Sequence, residues 1–336
     1  MFEFFITRPL GFIIDFIYSL VQNYGWAIIL FTVVVKLLML PLQIKSQKGM
    51  KKQQMVQPII AELQRKYAND KEKLQMEMMK VYKENNVSMM GGCLPLLIQF
   101  PILIALYRVI QRPLTYLLSV DFKATDVITR VSEIVEKMAA DPNVSHAVAA
   151  VKQLAPEKLA EQIHKMYEIQ FMTWCRYLEQ INPGSGYADW TLNFDFLGLD
   201  ITKVPTAAFS AITNAFNGAP DWSVIGLLLI PIIAMLATWL SMKQSQAMTS
   251  AKKKDGEAAP ANDTAASMNK TMGVMMPLMT GFFTLTFPSA IGLYWIMSSV
   301  MQIVTQYLLN IYFDKREDDF VVTVPEKNRK NSKKRK

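Results

Sequence analysis

The residue with the clearest chemical potential is Lys36. It sits in GWAIILFTVVVKLLMLP, residues 25–41, where Thr32 and Lys36 are the only polar side chains. With its flanks this stretch is long enough to cross a bilayer as a helix of about 20 residues. A lysine at that depth costs roughly 2.5–3.5 kcal/mol on insertion scales, so it is expected to face a polar interior and mark function. The plainer alternative is a lysine stretching to the cytoplasmic interface, about seven residues away or roughly 10 Å. Thr32 lies one helical turn before Lys36 and shares its face by spacing. Further on, Gln99 lies in CLPLLIQFPILIALYRVI, residues 93–110. Its amide needs a partner in hydrocarbon and should face other helices or a wet cavity. Pro101 should bend that helix.

Enzymatic patterns are missing from the sequence. The two histidines, His146 and His164, are eighteen residues apart and unsuited to a helical metal pair. There is no G-x-x-x-x-G-K-[ST] phosphate loop and no G-x-S-x-G elbow. No enzyme activity, cofactor or metal is therefore expected. Cys93 and Cys175 fall on opposite sides of the expected membrane, so no disulfide is expected.

The elements that must position Lys36 and Gln99 are membrane helices. Half the chain is hydrophobic and only 19% is charged, which suits a polytopic membrane protein. Basic residues outnumber acidic ones ten to five in 44–92 and nine to five in 314–336, and are outnumbered eight to thirteen in 119–222. The positive-inside rule then places 44–92, 243–270 and the tail in the cytoplasm.

The expected fold is an all-α polytopic membrane protein with five transmembrane helices. Residues 1–21 read as an interfacial amphipathic helix, because Glu3 and Asp15 spoil a secretory signal. The spans are expected at 22–43, 93–118, 222–242, 271–287 and 290–312. Segment 44–92 reads as a cytoplasmic helical hairpin, with Met55, Ile59, Leu63 and Tyr67 on one inner face. Leu74, Met78, Val81 and Tyr82 form the other, and Asn69 or Asp70 is the N-cap between them. Segment 119–221 is an extracytoplasmic insert, helical over 127–140 and 156–180 and strand-like or irregular over 189–205. Residues 243–270 form a cytoplasmic loop, low in complexity at its middle. Residues 313–336 form a basic tail.

Several segments carry a resemblance. One is the span with a single cation ending Leu40-Pro41-Leu42. Another is MVQPIIAELQRKYANDKEKLQMEMMKVYKENNV, followed shortly by GGCLPLLIQFPILIALY. The third is PLMTGFFTLTFPSAIGLYWIMSSVMQIVTQ. Together they resemble the YidC/Oxa/Alb superfamily of membrane-protein insertases, over residues 1–118 and 222–315. The resemblance implies spans forming a hydrophilic groove, open to cytoplasm and lipid and closed outside. It implies that Lys36, Gln99 and Trp295, with Thr32 beside Lys36, line a groove that receives short polar segments of nascent chains. The family usually has arginine where this chain has Lys36; charge is kept and the planar donor fork is lost. The implied location is a bacterial cell membrane, with the N-terminus outside and the C-terminus in the cytoplasm. The implied partners are nascent membrane proteins, membrane lipids and the ribosome, the last through the basic tail and hairpin. A Sec-type translocon is a further expected partner, and insertion independent of it is equally expected. Residues 119–221 have no role assigned by the resemblance.

Overall fold

The computed structural model describes residues 6–87, 104–105, 107–215, 222–249 and 264–314. The chain is mostly helical, as an all-α membrane protein should be. In order, the helices are α1 (Arg8–Val21), α2 (Tyr24–Leu38), α3 (Leu40–Lys66), α4 (Lys71–Glu84), α5 (Pro113–Tyr116), α6 (Thr125–Ala140), α7 (Pro156–Gln162) and α8 (Glu168–Ile181). A π-helical turn, Ile163–Tyr167, joins α7 to α8. Strands β1 (Asp195–Phe196) and β2 (Leu199–Asp200) form an antiparallel hairpin. Then come α9 (Ala207–Ala215), α10 (Trp222–Gly226), α11 (Leu229–Thr249), α12 (Thr264–Thr286) and α13 (Ser289–Asp314).

Trp222–Ser245, covering α10 and most of α11, is long and apolar enough to cross a membrane. The α2 and α3 pair passes the same test only when taken together across its bend, and Gly273–Thr286 is apolar but shorter. In α13, Ser298, Ser299, Gln302, Thr305, Gln306 and Asn310 interrupt the apolar run. The first part of the expected span 93–118, with Cys93, Gln99 and Pro101, lies outside the described residues, as do the middle of the 243–270 loop and nearly all of the tail.

The chain divides into two compact units, and the division cuts α2, α11, α12 and α13 internally. The first unit holds residues 1–34, 101–233 and 281–297. Its core is built around Tyr24, which is fully buried. The Tyr24 hydroxyl donates to the Ile110 carbonyl at 2.8 Å, and its ring meets Phe194 edge-on at 5.1 Å. Helix α1 packs Gly11, Ile14 and Ile17 inward, and a Cβ on Gly11 would come within 2.6 Å of the Tyr116 ring. Phe12, Phe16 and Leu20 lie on the exposed side of α1, so both faces of this helix are apolar. That suits a helix held by protein on one side and lipid on the other.

The insert within this unit has its own core. Helix α6 buries Val127, Val131, Ile134, Val135 and Met138, and α8 buries Phe171, Met172, Trp174, Cys175 and Leu178. The loop after α8 is gathered by one carboxylate. Glu179 accepts from the N–H groups of Gly184 (2.7 Å), Tyr187 (3.0 Å) and Ala188 (3.2 Å), and from the Ser185 hydroxyl (2.9 Å). The Arg130 guanidinium lies 4.6 Å from the Trp190 ring centroid and closes the far end of that loop onto α6.

The second unit holds residues 35–100, 234–280 and 298–336. The α3–α4 hairpin buries Val56, Ile60, Leu63, Val81, Tyr82 and Val87, with Ile59, Tyr67, Leu74 and Met78 packed around them. The inner face of α3 is therefore rotated from the expected one: Val56 and Ile60 replace Met55 and Ile59 at its centre, and Met55 is exposed. A strict spacing of four drifts by about 40° per step around a helix of 3.6 residues per turn, whereas 56, 60, 63 alternates four and three and stays in line. Asp70 is the N-cap of α4, accepting from the Lys73 N–H at 3.0 Å. The beginning of α3 packs through Ile44 on Leu309 and Phe313 of α13.

Candidate functional site

Lys36 lies two residues before the end of α2 and is only 7% exposed. A single residue, Met39, separates α2 from α3. The backbone ladder runs through it: Met39 N–H donates to Val35 and Gln43 N–H to Met39, both at 3.0 Å. Lys36 thus stands one turn from the helix that carries the hairpin.

The other expected site residues are placed separately. Thr32 is buried, and its hydroxyl donates to the Ile28 carbonyl of its own helix at 2.6 Å. Trp295 stacks on Phe283 at 6.2 Å, in an aromatic row with Phe287 and Tyr107. Thr32 and Trp295 belong to the first unit and Lys36 to the second. Gln99 lies outside the described residues.

The second unit contains a polar stripe that sequence reading missed. On α11, Thr238 and Ser241 are buried and Gln244 follows one turn later; on α13, Ser299, Thr305 and Gln306 are buried. The Thr238 and Ser299 hydroxyls are 3.3 Å apart, and the Gln244 amide donates to the Ile303 carbonyl at 3.2 Å. These contacts join two apolar helices by polar side chains, as membrane helices commonly are joined. Two groups in the stripe are not used this way. The buried Oε1 atoms of Gln244 and Gln306, like Oγ of Ser46 on α3, have no hydrogen-bond partner among the described residues. A buried acceptor left unmade costs about 1–3 kcal/mol, so such atoms mark a place for water or a polar guest. The signal was present in the sequence: Thr238, Ser241 and Gln244 recur every three residues, and Ser299, Gln302 and Gln306 every three or four.

In the first unit a second buried polar cluster joins α8 to α5. Glu168, 1% exposed, accepts from the Thr115 N–H at 3.0 Å and the Thr115 hydroxyl at 2.5 Å. His164 Nδ1 lies 3.0 Å from Glu168 Oε1, and its ring lies against Phe122. Every member of this cluster has a partner inside it, so it reads as a fastening. No group of three or more His, Cys, Asp or Glu among the described residues is placed to hold a metal ion.

Comparison with known proteins gives a consistent family. The family model described as 60Kd inner membrane protein matches residues 16–316. A membrane protein insertase YidC of Clostridium perfringens is 30% identical over 317 residues, covering 94% of this chain and 86% of that protein. Proteins of the same name from Wolinella succinogenes and Nitratidesulfovibrio vulgaris (strain DP4) are 38% and 47% identical over 130 and 104 residues, or 39% and 31% of this chain. In those two, the matched stretch spans only 23% and 20% of the relative's length. With the family model covering most of its length and the clostridial relative nearly all of it, the chain belongs to the 60Kd inner membrane protein family.

Proposed function

We propose that the protein is a membrane-protein insertase of the bacterial cell membrane. Five spans would enclose a hydrophilic groove in which Lys36, Thr32, Gln99 and Trp295 receive short polar segments of nascent chains. The observation that carries this reading is the polar stripe on α11 and α13, with the buried amide oxygens of Gln244 and Gln306 that have no hydrogen-bond partner among the described residues. An apolar helix bundle with no polar guest has no use for buried acceptors, whereas a groove that admits polar peptide does. The buried cation of Lys36 adds attraction for acidic segments, and the insertase name of the relatives supports the reading. The substrate's apolar helix then leaves sideways into lipid, and no nucleotide is needed.

Exposed methionines, Met76 and Met79 on α4 and Met275 and Met279 on α12, offer adaptable surfaces for varied apolar clients. The basic tail, with seven Lys/Arg and no acid in 327–336, would hold the ribosome near the groove, with or without a Sec-type translocon. Truncation after Glu326 should lower ribosome co-sedimentation in detergent across a salt series.

The test of the groove is site-specific photocrosslinking from positions 244 and 306 to ribosome-stalled membrane-protein chains. Adducts are expected at both. Adducts at exposed Leu236 with none at either glutamine would overturn the groove reading and leave the stripe as a helix–helix joint.

A further inference from the structure

The β1–β2 hairpin pairs Asp195 with Asp200 and Phe196 with Leu199, leaving Leu197-Gly198 as a two-residue turn. Both turn residues have positive φ, 55° and 78°, the pattern that favours Asn-Gly or Gly-Gly. Leucine is a poor choice for that backbone, and here its side chain is 78% exposed. Neither the turn nor packing within the protein accounts for it.

The register of the hairpin supplies a reason. Phe196 lies against Gly25, and its ring meets Trp26 edge-on at 5.3 Å. Leu199 lies against Gly226, where a Cβ would come within 2.9 Å. Gly25 and Trp26 are in the first turn of α2, and Gly226 is four residues into the apolar helix beginning at Trp222, roughly 6 Å along it. The turn therefore lies level with the first turns of two helices read as spans. Trp26 and Trp222, 48% and 73% exposed, stand on those turns. Exposed tryptophan at such a level is the mark of the membrane–water boundary. The acidic residues of the hairpin are already satisfied: Asp195 Oδ1 accepts from the Gly198 N–H at 2.9 Å, and Asp200 Oδ2 pairs with Arg176 at 2.6 Å.

We propose that the hairpin is a membrane contact, seating Leu197 in the lipid leaflet at the starts of α2 and α10 beside Trp26 and Trp222. The contact rests on the reading of those helices as spans, and ties the insert to the lipid as well as to the helix ends.

The full chain carrying Cys93→Ser and Leu197→Cys is labelled with an environment-sensitive fluorophore and reconstituted into phosphatidylethanolamine–phosphatidylglycerol vesicles. Native Cys175 is fully buried and does not compete for label. Leu197 buries little within the protein, so its replacement leaves the packing intact. The same label at Leu236, exposed on α11, and at Glu157, exposed on α7, gives a membrane and an aqueous reference. The expected result is blue-shifted emission at 197, quenched more by lipid bearing a nitroxide near its ester carbonyl than by iodide. Emission at 197 like that at 157, with 236 lipid-quenched, would overturn the contact and leave the span reading standing. Aqueous behaviour at 236 also would remove the span reading itself.

Discussion

The ring of Phe196 occupies the space where a side chain on Gly25 would begin, although 171 residues separate them. Around this contact the 193–203 segment meets the N-termini of two long helices. Tyr24 N–H donates to the Asn193 carbonyl at 2.8 Å, Ser289 N–H to Lys203 at 3.0 Å, and Ala290 N–H to Ile201 at 3.0 Å. Helix N-termini carry unsatisfied N–H groups, and here an irregular segment supplies the carbonyls. Gly25→Ala should lower stability by about 1–3 kcal/mol through overpacking. Gly25→Ala combined with Phe196→Ala should lose less than the sum of the two single changes. Thermal unfolding in detergent, followed by tryptophan fluorescence, measures both.

The Glu179 clamp predicts a pH dependence. The Gly184 N–H first, then the Ser185 hydroxyl and the Ala188 and Tyr187 N–H groups, hold its carboxyl below the usual carboxylate range. A depressed folded value means that the stabilisation is present above the ordinary range and is lost as pH falls through the folded value. Glu179→Gln should therefore lower the melting temperature at neutral pH. The difference from wild type should shrink steadily in acid; a gap constant with pH would show that charge plays no part.

Cys175 should be inert while the insert is folded. It is fully buried, and burial pushes its thiol up to about 12. The thiolate is the reactive form, so at neutral pH its population is on the order of one in a hundred thousand. In a Cys93→Ser background, modification by a maleimide should track denaturant unfolding of the insert. Rapid labelling in native vesicles would contradict the packing of α6 on α8.

For Lys36, the electrostatic reading expects Lys36→Arg to keep activity. Lys36→Ala and Lys36→Glu should reduce insertion several-fold, most for clients with acidic translocated segments. The measurement is the fraction of client protected from protease in a depletion strain. Full complementation by Lys36→Glu would remove the electrostatic part of the proposal.

How much of this was legible beforehand differs by element. The insert helices and a cap at Asn69 or Asp70 follow from local pattern; the structure has helices at Thr125–Ala140, Pro156–Gln162 and Glu168–Ile181, and the cap at Asp70. Those signals need only neighbours within one or two turns. On the face of α3, Ile59, Leu63 and Tyr67 do join the hairpin core, but Met55 is exposed and Val56 and Ile60 are buried, because a strict four-residue spacing drifts from helical periodicity over three turns. The polar stripe of α11 and α13 escaped notice because serine and threonine dilute an apolar run only slightly. The importance of residues 193–203 was invisible: their contacts are made with residues 18–26, 226 and 289–290, and no local pattern encodes such distances.

The π-helical turn at Ile163–Tyr167 has a consequence for how this insert tolerates change in length. Up to its first residue, the buried positions are Leu159, Ala160 and Ile163; after it they are Glu168, Ile169, Phe171, Met172, Trp174, Cys175 and Leu178. Continued α-helically, the first set would reach 167, 170, 171 and 174; of these Gln170 is exposed and Phe171 and Trp174 are buried, while the buried face also takes in Glu168, Met172 and Cys175, one residue further on. The turn thus absorbs one supernumerary residue, and the two halves agree in phase without it. Deletion of exposed Lys165 should straighten the helix and leave Glu168 facing Thr115, with a melting temperature close to wild type. Deletion of Arg176, inside the regular part of α8, should instead carry every later side chain about 100° out of place and unfold the insert.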